Sequence, residues 1–369
     1  MSQNNLRYVL ALLAAPNVGV QTIRKLVEHY GSAEAVFREQ RNDLQNIPGI
    51  GQKLAETFFD EQLLAIADDE LEFAERNSIS ILYYQDDNYP ALLKEINDAP
   101  IVLFQKGNFD WKSYRHYVGM VGTRKATAYG KTQCERLVEG LSNLLNNPVI
   151  VSGLALGVDA CSHQMALQQG LPTIGVMASG FRHIYPSQHK TLYRKILDAG
   201  GALLTEAFSF EKPEKHNFVK RNRIIAGLSQ AIVVVESGAK GGSLITASYA
   251  MDYNRDVFAF PGCLHMSSYA GCHRLIKQNI ASLLESADDL VQVMNWSQQA
   301  KVKQLELSLP LDLTDEENLV LNALKNGRKN IDELSKETNI EFSQLALILL
   351  NLEMKKLINN LPGNFYEIK

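Results

Sequence analysis

The chain is 369 residues long, with 46% hydrophobic and 21% charged residues and a formal net charge of −4. These proportions exclude a disordered or fibrous protein, and at roughly 150 residues per domain the length predicts two to three globular domains. The slight negative charge argues against a protein that coats nucleic acid over its whole surface, but it is compatible with a local basic cleft.

The sequence indicates neither membrane insertion nor export. No run approaches the roughly 18 apolar residues that span a bilayer, and the short apolar run near the N-terminus lacks a convincing cleavage site. The four cysteines form no CxxC pair. We therefore expect reduced thiols, a cytoplasmic protein, no disulfide framework, no metal site and no cofactor.

A repeat occupies the first 60 residues. Pro16–Gly19 precedes a helical run, and Pro48–Gly51 precedes another. A glycine turn between short helices is the helix-hairpin-helix pattern, whose backbone N–H groups can hold a phosphate. A plain αα-hairpin needs the same glycine, and two copies leave the two interpretations about even. Residues 1–75 are predicted to form an N-terminal helical domain of the helix-hairpin-helix or SAM-like type.

The central region changes to alternating strands and helices. Strands at Ile79–Tyr84 and Pro100–Phe104 flank a short helix, Tyr89–Ile96. From about residue 115, β-rich apolar runs bounded by glycines alternate with helices, which predicts a parallel sheet covered on both faces. The predicted strands are Tyr117–Val121, Val149–Val151, Thr173–Met177, Ala202–Thr205, Ala231–Glu236 and Asp256–Phe260, and the helices include Gly130–Leu145, Val158–Gln169, Gln188–Asp198 and Ser243–Tyr253. This α/β domain is predicted over residues 76–300.

The C-terminal region is predicted to be a winged helix. Residues 301–311 are predicted to be a linker, and residues 312–369 contain three helical segments followed by a hairpin around Pro362–Asn364. The helical segments are Asp315–Lys325, Ile331–Thr338 and Glu341–Lys355, and the hairpin strands are Lys356–Asn359 and Phe365–Ile368.

Small and polar residues follow four of the predicted central strands. They are Gly122–Arg124, Ser152–Gly153, Ala178–Gly180 and Gly238–Ser243. Ligands of open parallel sheets bind beyond the carboxyl ends of the strands, and N–H groups at helix N-termini bind anions there. One such loop is more often a plain βα turn, but four loops on one edge predict a ligand that carries phosphate.

A basic run lies in the same region. Its members are Lys212, Lys215, Lys220, Arg221 and Arg223, together with His216, Phe218 and Asn222. Such a run is usually a solvated face, and its arginines can also brace the sheet by pairing with Glu206, Glu211 or Glu214. This run directly precedes an apolar helix start at Ile224, so we expect its arginines to lie near a strand end. Guanidinium groups suit phosphate, and Phe218 can stack on a base.

Enzymatic motifs are missing from the sequence. We find no GxxxxGK[ST], GxSxG, GxGxxG or HExxH pattern. His163 is predicted to be structural. Asp159 and Glu206 are possible bases, but capping of loop N–H groups explains them equally well. No catalytic residue is predicted.

Several long motifs resemble the DNA-processing protein A family (DprA, also called Smf). They are VGTRKATAYG, VSGLALGVDACSH, TIGVMASGFRHIYP, FVKRNRIIAGLSQAIVVVESGAKGGSLITASYA and DVFAFPG. The resemblance covers roughly residues 80–295. It implies an α/β protein with an extended Rossmann-like parallel sheet, an N-terminal helix-hairpin-helix domain and a C-terminal winged helix. It also implies a homodimer that binds single-stranded DNA and delivers it to a RecA-type recombinase in natural transformation.

The same resemblance implies the DNA-binding residues. Gly122, Thr123 and Arg124 form a first phosphate loop and Ser152 and Gly153 a second. Phe218, Lys220, Arg221, Asn222 and Arg223 form a basic wall, and Gly242 and Ser243 provide a further backbone site. The chain departs from the family at Gly241, where serine is common, and at Ser187, where lysine is common. The chain therefore lacks the basic residue that is common at position 187, and its nearest lysine in sequence is Lys190.

Two alternatives stay open. Phosphoribohydrolases of the cytokinin-activating type have a related fold, but their PGGxGTxxE loop ends in a glutamate, whereas here the first carboxylate after the glycines is Asp252. The other alternative is an adaptor that binds the recombinase and has only incidental affinity for DNA.

Overall fold

The computed structural model describes residues 3–38, 43–44, 47, 50–58, 60–296, 314–325, 327–355, 357–361 and 365–368. Its contacts divide the chain into two compact units, residues 1–300 and residues 301–369. The predicted linker, 301–311, and the predicted wing turn, 362–364, lie outside the described residues. Within the described ranges, no helix is both long and apolar enough to cross a bilayer.

The N-terminal part of the first unit is helical. Its helices are α1 (Gln3–Ala14), α2 (Val20–Tyr30), α3 (Ala33–Arg38), α4 (Gln52–Thr57) and α5 (Glu61–Arg76). The two glycines of the repeat are structurally equivalent: Gly19 and Gly51 are the N-caps of α2 and α4, with φ, ψ of −86°, 162° and −83°, 170°. Their carbonyls accept the first helical N–H groups in the same way.

These helices pack directly against the sheet. Their buried side chains share one core with Ile79, Tyr83 and Phe104. Polar contacts add to this packing, because Arg24 donates to the carbonyls of Asn97 and Ala99 at 3.0 Å each. The boundary at residue 75 therefore separates two predicted domains that share one hydrophobic core.

A nine-stranded sheet forms the centre of the first unit, in the order β1-β2-β6-β5-β4-β3-β7-β8-β9. Strands β3 to β9 pair in parallel, whereas β1 and β2 are antiparallel to their neighbours. The strands are β1 (Ile79–Tyr83), β2 (Val102–Lys106), β3 (Tyr117–Gly122), β4 (Val149–Ser152), β5 (Thr173–Val176), β6 (Ala202–Thr205), β7 (Ala231–Glu236), β8 (Asp256–Ala259) and β9 (Ser282–Leu283). The predicted mostly parallel α/β fold is confirmed.

Helices cover both faces of this sheet, since successive strand residues point to opposite faces and both sets are apolar. One face carries α6 (Ala91–Lys94), α10 (Lys215–Leu228), α11 (Ser243–Asp252) and α12 (Ala270–Lys277). The other carries α7 (Ala128–Leu144), α8 (Val158–Gln168) and α13 (Ala287–Val293), and α9 (Lys190–Asp198) packs beside β5 and β6.

One helix differs from the prediction in a way that changes the site. The expected helix start near Ile224 is wrong, because α10 begins at Lys215 and includes most of the basic run. Consecutive residues of this run are therefore separated by about 100° around a helix axis and do not lie along one exposed wall.

The second unit has its own core and a winged-helix topology. It contains α14 (Asp315–Leu324), β10 (Lys329–Asn330), α15 (Ile331–Thr338), α16 (Phe342–Met354), β11 (Ile358–Leu361) and β12 (Phe365–Ile368), with the sheet order β10-β12-β11. Reciprocal capping boxes at Thr314 and Asn330 begin α14 and α15. Leu345, Ile348 and Leu349 of α16 are buried in this core.

Candidate nucleic-acid interface

An open cleft of about 730 Å³ lies at the carboxyl ends of β3 and β7. Three segments line it: the loop after β3 with Gly122–Lys125, the first part of α10, and the glycine-rich loop that leads into α11. This is the edge at which open parallel sheets bind their ligands. The described lining includes four cations, Arg124, Lys125, Lys215 and Arg221, against one carboxylate, Asp159.

A cation and two aromatic rings form one side of the cleft. The guanidinium carbon of Arg124 lies 5.1 Å from the centre of the Phe218 ring, within the range of a cation–π contact. The Tyr185 ring meets Phe218 edge-on, with centroids 5.5 Å apart, and Tyr185 is 45% exposed. Arg124 is also exposed. The cleft therefore presents positive charge and π-surface side by side.

The start of α11 provides backbone donors on the opposite side. The N–H groups of Leu244 and Ile245 bond to the carbonyls of Gly241 and Gly242, whereas the N–H groups of Gly242 and Ser243 donate to no described residue. Asn222 of α10 approaches the same turn, with its Nδ2 3.4 Å from the Gly242 carbonyl. Free N–H groups at a helix N-terminus favour an anion.

Arg221 lies beneath the cleft and is buried. Its Nη1 donates to the Val176 carbonyl, and its charge faces Asp159. Burial lowers the pKa of Arg221 and raises that of Asp159, while the opposite charge of each partner counters that shift. A Cβ on Gly153 would collide with the Asp159 carboxylate and would stand 2.6 Å from Arg221 Nη2, so this pair requires glycine there.

Comparisons with known proteins identify the family of this chain. The sequence profile of the family described as DNA recombination-mediator protein A matches residues 80–295, which include the whole cleft. This chain belongs to that family. A DprA winged helix profile matches residues 306–364, and a SAM-like helix-hairpin-helix tandem profile matches residues 9–58. The predicted family and all three predicted architectural parts are confirmed.

Individual members of the recombination-mediator family are also similar. Protein Smf of Synechocystis sp. is 30% identical over 100% of both chains, and DprA of Streptococcus pneumoniae is 42% identical over 60% of this chain and 75% of its own. The X-ray structure of the S. pneumoniae protein superposes with a TM-score of 0.66 at 35% identity and covers 78% of this chain and 97% of its own. A Helicobacter pylori DprA structure, described for its single-stranded DNA binding mode, superposes with a TM-score of 0.52 at 28% identity, over 59% of this chain and 95% of its own.

Eight of the twelve site residues predicted for this family member line the cleft. They are Gly122, Thr123, Arg124, Phe218, Arg221, Asn222, Gly242 and Ser243. The other four, Ser152, Gly153, Lys220 and Arg223, do not line it. None of these placements tests DNA contact, so the contacts stay predictions.

The first two loops use their polar groups within the protein. The N–H of Thr123 donates to the Glu236 carbonyl at 2.8 Å, so it is not free for an anion. Ser152 is fully buried and donates its hydroxyl to the Met120 carbonyl at 2.6 Å. The Gly153 carbonyl accepts a bond from His163 Nε2 at 2.6 Å. Burial lowers the pKa of His163 to about 4, so this histidine is neutral at pH 7 and holds the loop, as its predicted structural role requires.

Lys220 and Arg223 lie on the side of α10 that faces Glu206. Arg223 Nη2 is 2.5 Å from Glu206 Oε2, Nη1 donates to the Asp98 carbonyl, and both partners in the ion pair are largely buried. Lys220 Nζ is 3.4 Å from the same Glu206 oxygen. Residues 221 and 223 are about 200° apart on a helix, so the two arginines cannot face one cleft. For Arg223 the geometry favours the bracing alternative.

The twelve predicted site residues omit three cationic or aromatic residues of the cleft lining, Lys125, Tyr185 and Lys215, although Lys215 was named in the basic run. A helical pattern was available for Lys215, because residues 215, 218, 222 and 225 recur on one helical face and all line the cleft. No sequence pattern placed Tyr185 at the cleft, because the loop after β5 that carries it approaches the other lining residues only in the folded chain. Within the described residues, no group of three or more His, Cys, Asp or Glu side chains is placed to hold a metal ion.

Proposed function

We propose that this protein binds single-stranded DNA independently of sequence and helps to load a RecA-type recombinase onto it. The observation that carries the proposal is the contact between the exposed Arg124 and the half-buried Phe218 ring, in a cleft with an excess of cations. Phosphate contacts position a strand without reading its bases, and aromatic rings stack on any base. The DNA-binding mode named for the H. pylori relative supports the same ligand class.

The assignment of DNA-contacting groups follows the cleft. Arg124, Lys125 and Lys215 supply exposed positive charge, and the N–H groups of Gly242 and Ser243 supply a backbone phosphate site. Phe218 and Tyr185 supply the stacking surface. Arg221 adds positive charge from below without an exposed guanidinium.

The placement of the described carboxylates favours a DNA-binding function over the hydrolytic activity of a phosphoribohydrolase. Asp159, the only carboxylate among the described lining residues, is buried, faces Arg221 and accepts the Ala155 N–H at 3.3 Å. Glu206 is paired with Arg223 outside the cleft. We propose no catalytic residue and expect no nucleotide turnover, and we place the activity in the cytoplasm, where a recombinase acts.

The salt dependence of binding tests this function. Affinity for mixed-sequence single strands should vary little between sequences and should fall with salt at about −0.7 per neutralised phosphate on a log–log scale. Fluorescence anisotropy across a salt series measures both. A preference for one sequence, or an affinity insensitive to salt, would reject the proposed contacts, and recombinase filament assembly on coated single strands tests the loading step separately.

We also propose a homodimer formed through the Rossmann-like unit. Strand β9 is an edge with only two residues, and Leu283 on it is 46% exposed. Sheet edges need covering, and a two-fold symmetric contact is the commonest solution in soluble oligomers. Sedimentation at micromolar concentration should give twice the chain mass, and a monomer alone would contradict this prediction.

The winged helix is expected not to bind duplex DNA. Residues 312–369 carry seven Lys and Arg residues against ten Asp and Glu residues, a net charge of −3 with the wrong sign for phosphate. On α16, Leu347 and Leu350 are 64% and 53% exposed, which suits a protein partner better than a base edge. Binding of duplex DNA by the isolated segment 312–369 at physiological salt, measured by an electrophoretic mobility shift, would contradict this prediction.

A further inference from the structure

One buried carboxylate residue anchors the loop that carries Arg124 at both of its ends. Glu236 ends β7 and is fully buried. Its backbone carbonyl accepts the N–H of Thr123 at 2.8 Å. Its Oε2 accepts the N–H and the hydroxyl of Thr127 at 2.9 and 3.0 Å. Loop 123–127 is therefore fixed to the same residue of β7 before and after Arg124.

The surroundings of Glu236 restrict this arrangement further. Tyr269 lies 3.5 Å from the same Oε2 through its hydroxyl, and a Cβ on Gly130 would collide with that oxygen. Thr127 in turn caps α7, since its Oγ1 accepts the N–H of Gly130 at 3.1 Å. Glu236, Thr127 and the first turn of α7 thus form one connected set of hydrogen bonds, the kind of support that fixes a binding side chain.

The charge of Glu236 has the wrong sign for a direct contact with DNA. A carboxylate near this loop repels a phosphate bound by Arg124, and burying it is unfavourable unless hydrogen bonds compensate. Its Oε1 has no hydrogen-bond partner among the described residues. The favourable contribution of Glu236 is therefore the geometry that it gives to the loop.

Ordering a loop on binding costs conformational entropy, and a loop whose backbone is already fixed avoids much of that cost. We propose that Glu236 is a positioning residue for single-stranded DNA binding, which clamps Thr123 and Thr127, presents Arg124 to the strand and touches no DNA itself. This inference rests on the function proposed above.

The test compares Glu236→Leu and Glu236→Gln in the full chain, by titration with a fluorescent oligothymidylate at low salt. We expect the leucine variant to bind roughly tenfold more weakly, the scale of one charged hydrogen bond. Removing a negative charge near the DNA would by itself tighten binding, whereas losing the positioning role weakens it. The sign of the change in affinity therefore distinguishes the two effects. A carboxamide oxygen can still accept both Thr127 bonds, so the glutamine variant should bind at least as tightly as wild type. Unchanged or tighter binding by the leucine variant would overturn the proposal.

A double-mutant cycle with Arg124→Ala separates positioning from general loosening of the fold. If Glu236 acts through Arg124, the effect of Glu236→Leu should shrink to less than about twofold in the Arg124→Ala background. An undiminished tenfold loss in that background would also overturn the proposal. A wild-type chain that binds no single-stranded DNA would instead reject the proposed function itself, and this inference with it.

Thr127→Val provides a milder variant if Glu236→Leu does not fold. It removes the hydroxyl that contacts Glu236 and keeps the backbone N–H contact. Its matched control is Thr132→Val on the same helix, whose hydroxyl donates to the Ala128 carbonyl at 3.1 Å. Thr127→Val should weaken DNA binding severalfold in the presence of Arg124 and leave it unchanged in the Arg124→Ala background. The control should leave it unchanged in both, and equal effects of the two substitutions would refute the clamp.

Discussion

Arg124→Glu is expected to weaken single-stranded DNA binding on the order of a hundredfold at low salt, for every sequence alike. The substitution removes one charged contact and places a like charge against the phosphate, each worth about a factor of ten. It also removes the cation from the face of Phe218. The slope of log affinity against log salt should flatten by about one contact, and recombinase loading should fall in the same variant, because the strand must be held first.

Arg136→Glu is the matched control for this reversal. Arg136 is exposed on α7, lies close to Arg124 in sequence and does not line the cleft. Both variants change the net charge by the same amount, so a general electrostatic effect would weaken binding equally in both. A loss confined to Arg124→Glu supports the cleft, whereas equal losses would contradict it. Anisotropy titrations of both variants across one salt series make the comparison.

The sheet and the edge at which the cleft lies could be predicted because their signals are local. Apolar runs that end in glycine mark the strands and their carboxyl ends, and the topology of a parallel sheet brings those ends to one edge. Gly122–Arg124 and Gly242–Ser243 were placed at the cleft for this reason. Phe218 and Asn222 were named from the basic run and the family resemblance, and the structure places both on one face of α10 that lines the cleft.

The division of the basic run between two faces was not predicted. Residues 215–223 are mostly polar, so their composition resembles a solvated loop, and their helical conformation depends on tertiary packing. A predicted helix that began at Lys215 would have placed Arg221 and Arg223 on different faces, because residues two apart differ by about 200° around a helix axis. The partner of Arg223 is 17 residues away in sequence, and the run itself does not indicate which carboxylate it meets.

The internal use of the loop groups could not be predicted either. Glu236 and Thr127 are 109 residues apart, and Ser152 and Met120 are 32 residues apart. A polar residue at a strand end gives the same sequence signal whether its hydrogen bonds go to a ligand or to a neighbouring strand. The four loops therefore predicted the edge of the sheet at which the cleft lies, but not which of their donors are free.

Arg223→Ala is expected to have the largest effect on stability. The side chains of Arg223 and Glu206 are 6% and 12% exposed, and their contact of 2.5 Å is supported by the bond from Nη1 to the Asp98 carbonyl. Removing Arg223 leaves the largely buried Glu206 with only the exposed Lys220 as a counter-charge, at a cost of about 3 kcal/mol, the lower end for a broken buried ion pair. Thermal and urea unfolding should show the loss, while DNA affinity, measured well below the melting temperature, should stay within about twofold of wild type because the side chain does not line the cleft.

Lys220→Ala is the control on the same helix and the same carboxylate. Lys220 lies 3.4 Å from Glu206 but is 57% exposed, so solvent screens the pair and its removal should cost less than about 1 kcal/mol. Replacing both Arg223 and Glu206 with leucine should recover much of the stability lost in Arg223→Ala, since an apolar pair leaves no buried charge. If Arg223→Ala instead kept its melting temperature and lost DNA affinity, Arg223 would belong to the DNA-binding wall predicted from the sequence, and the bracing role would be wrong.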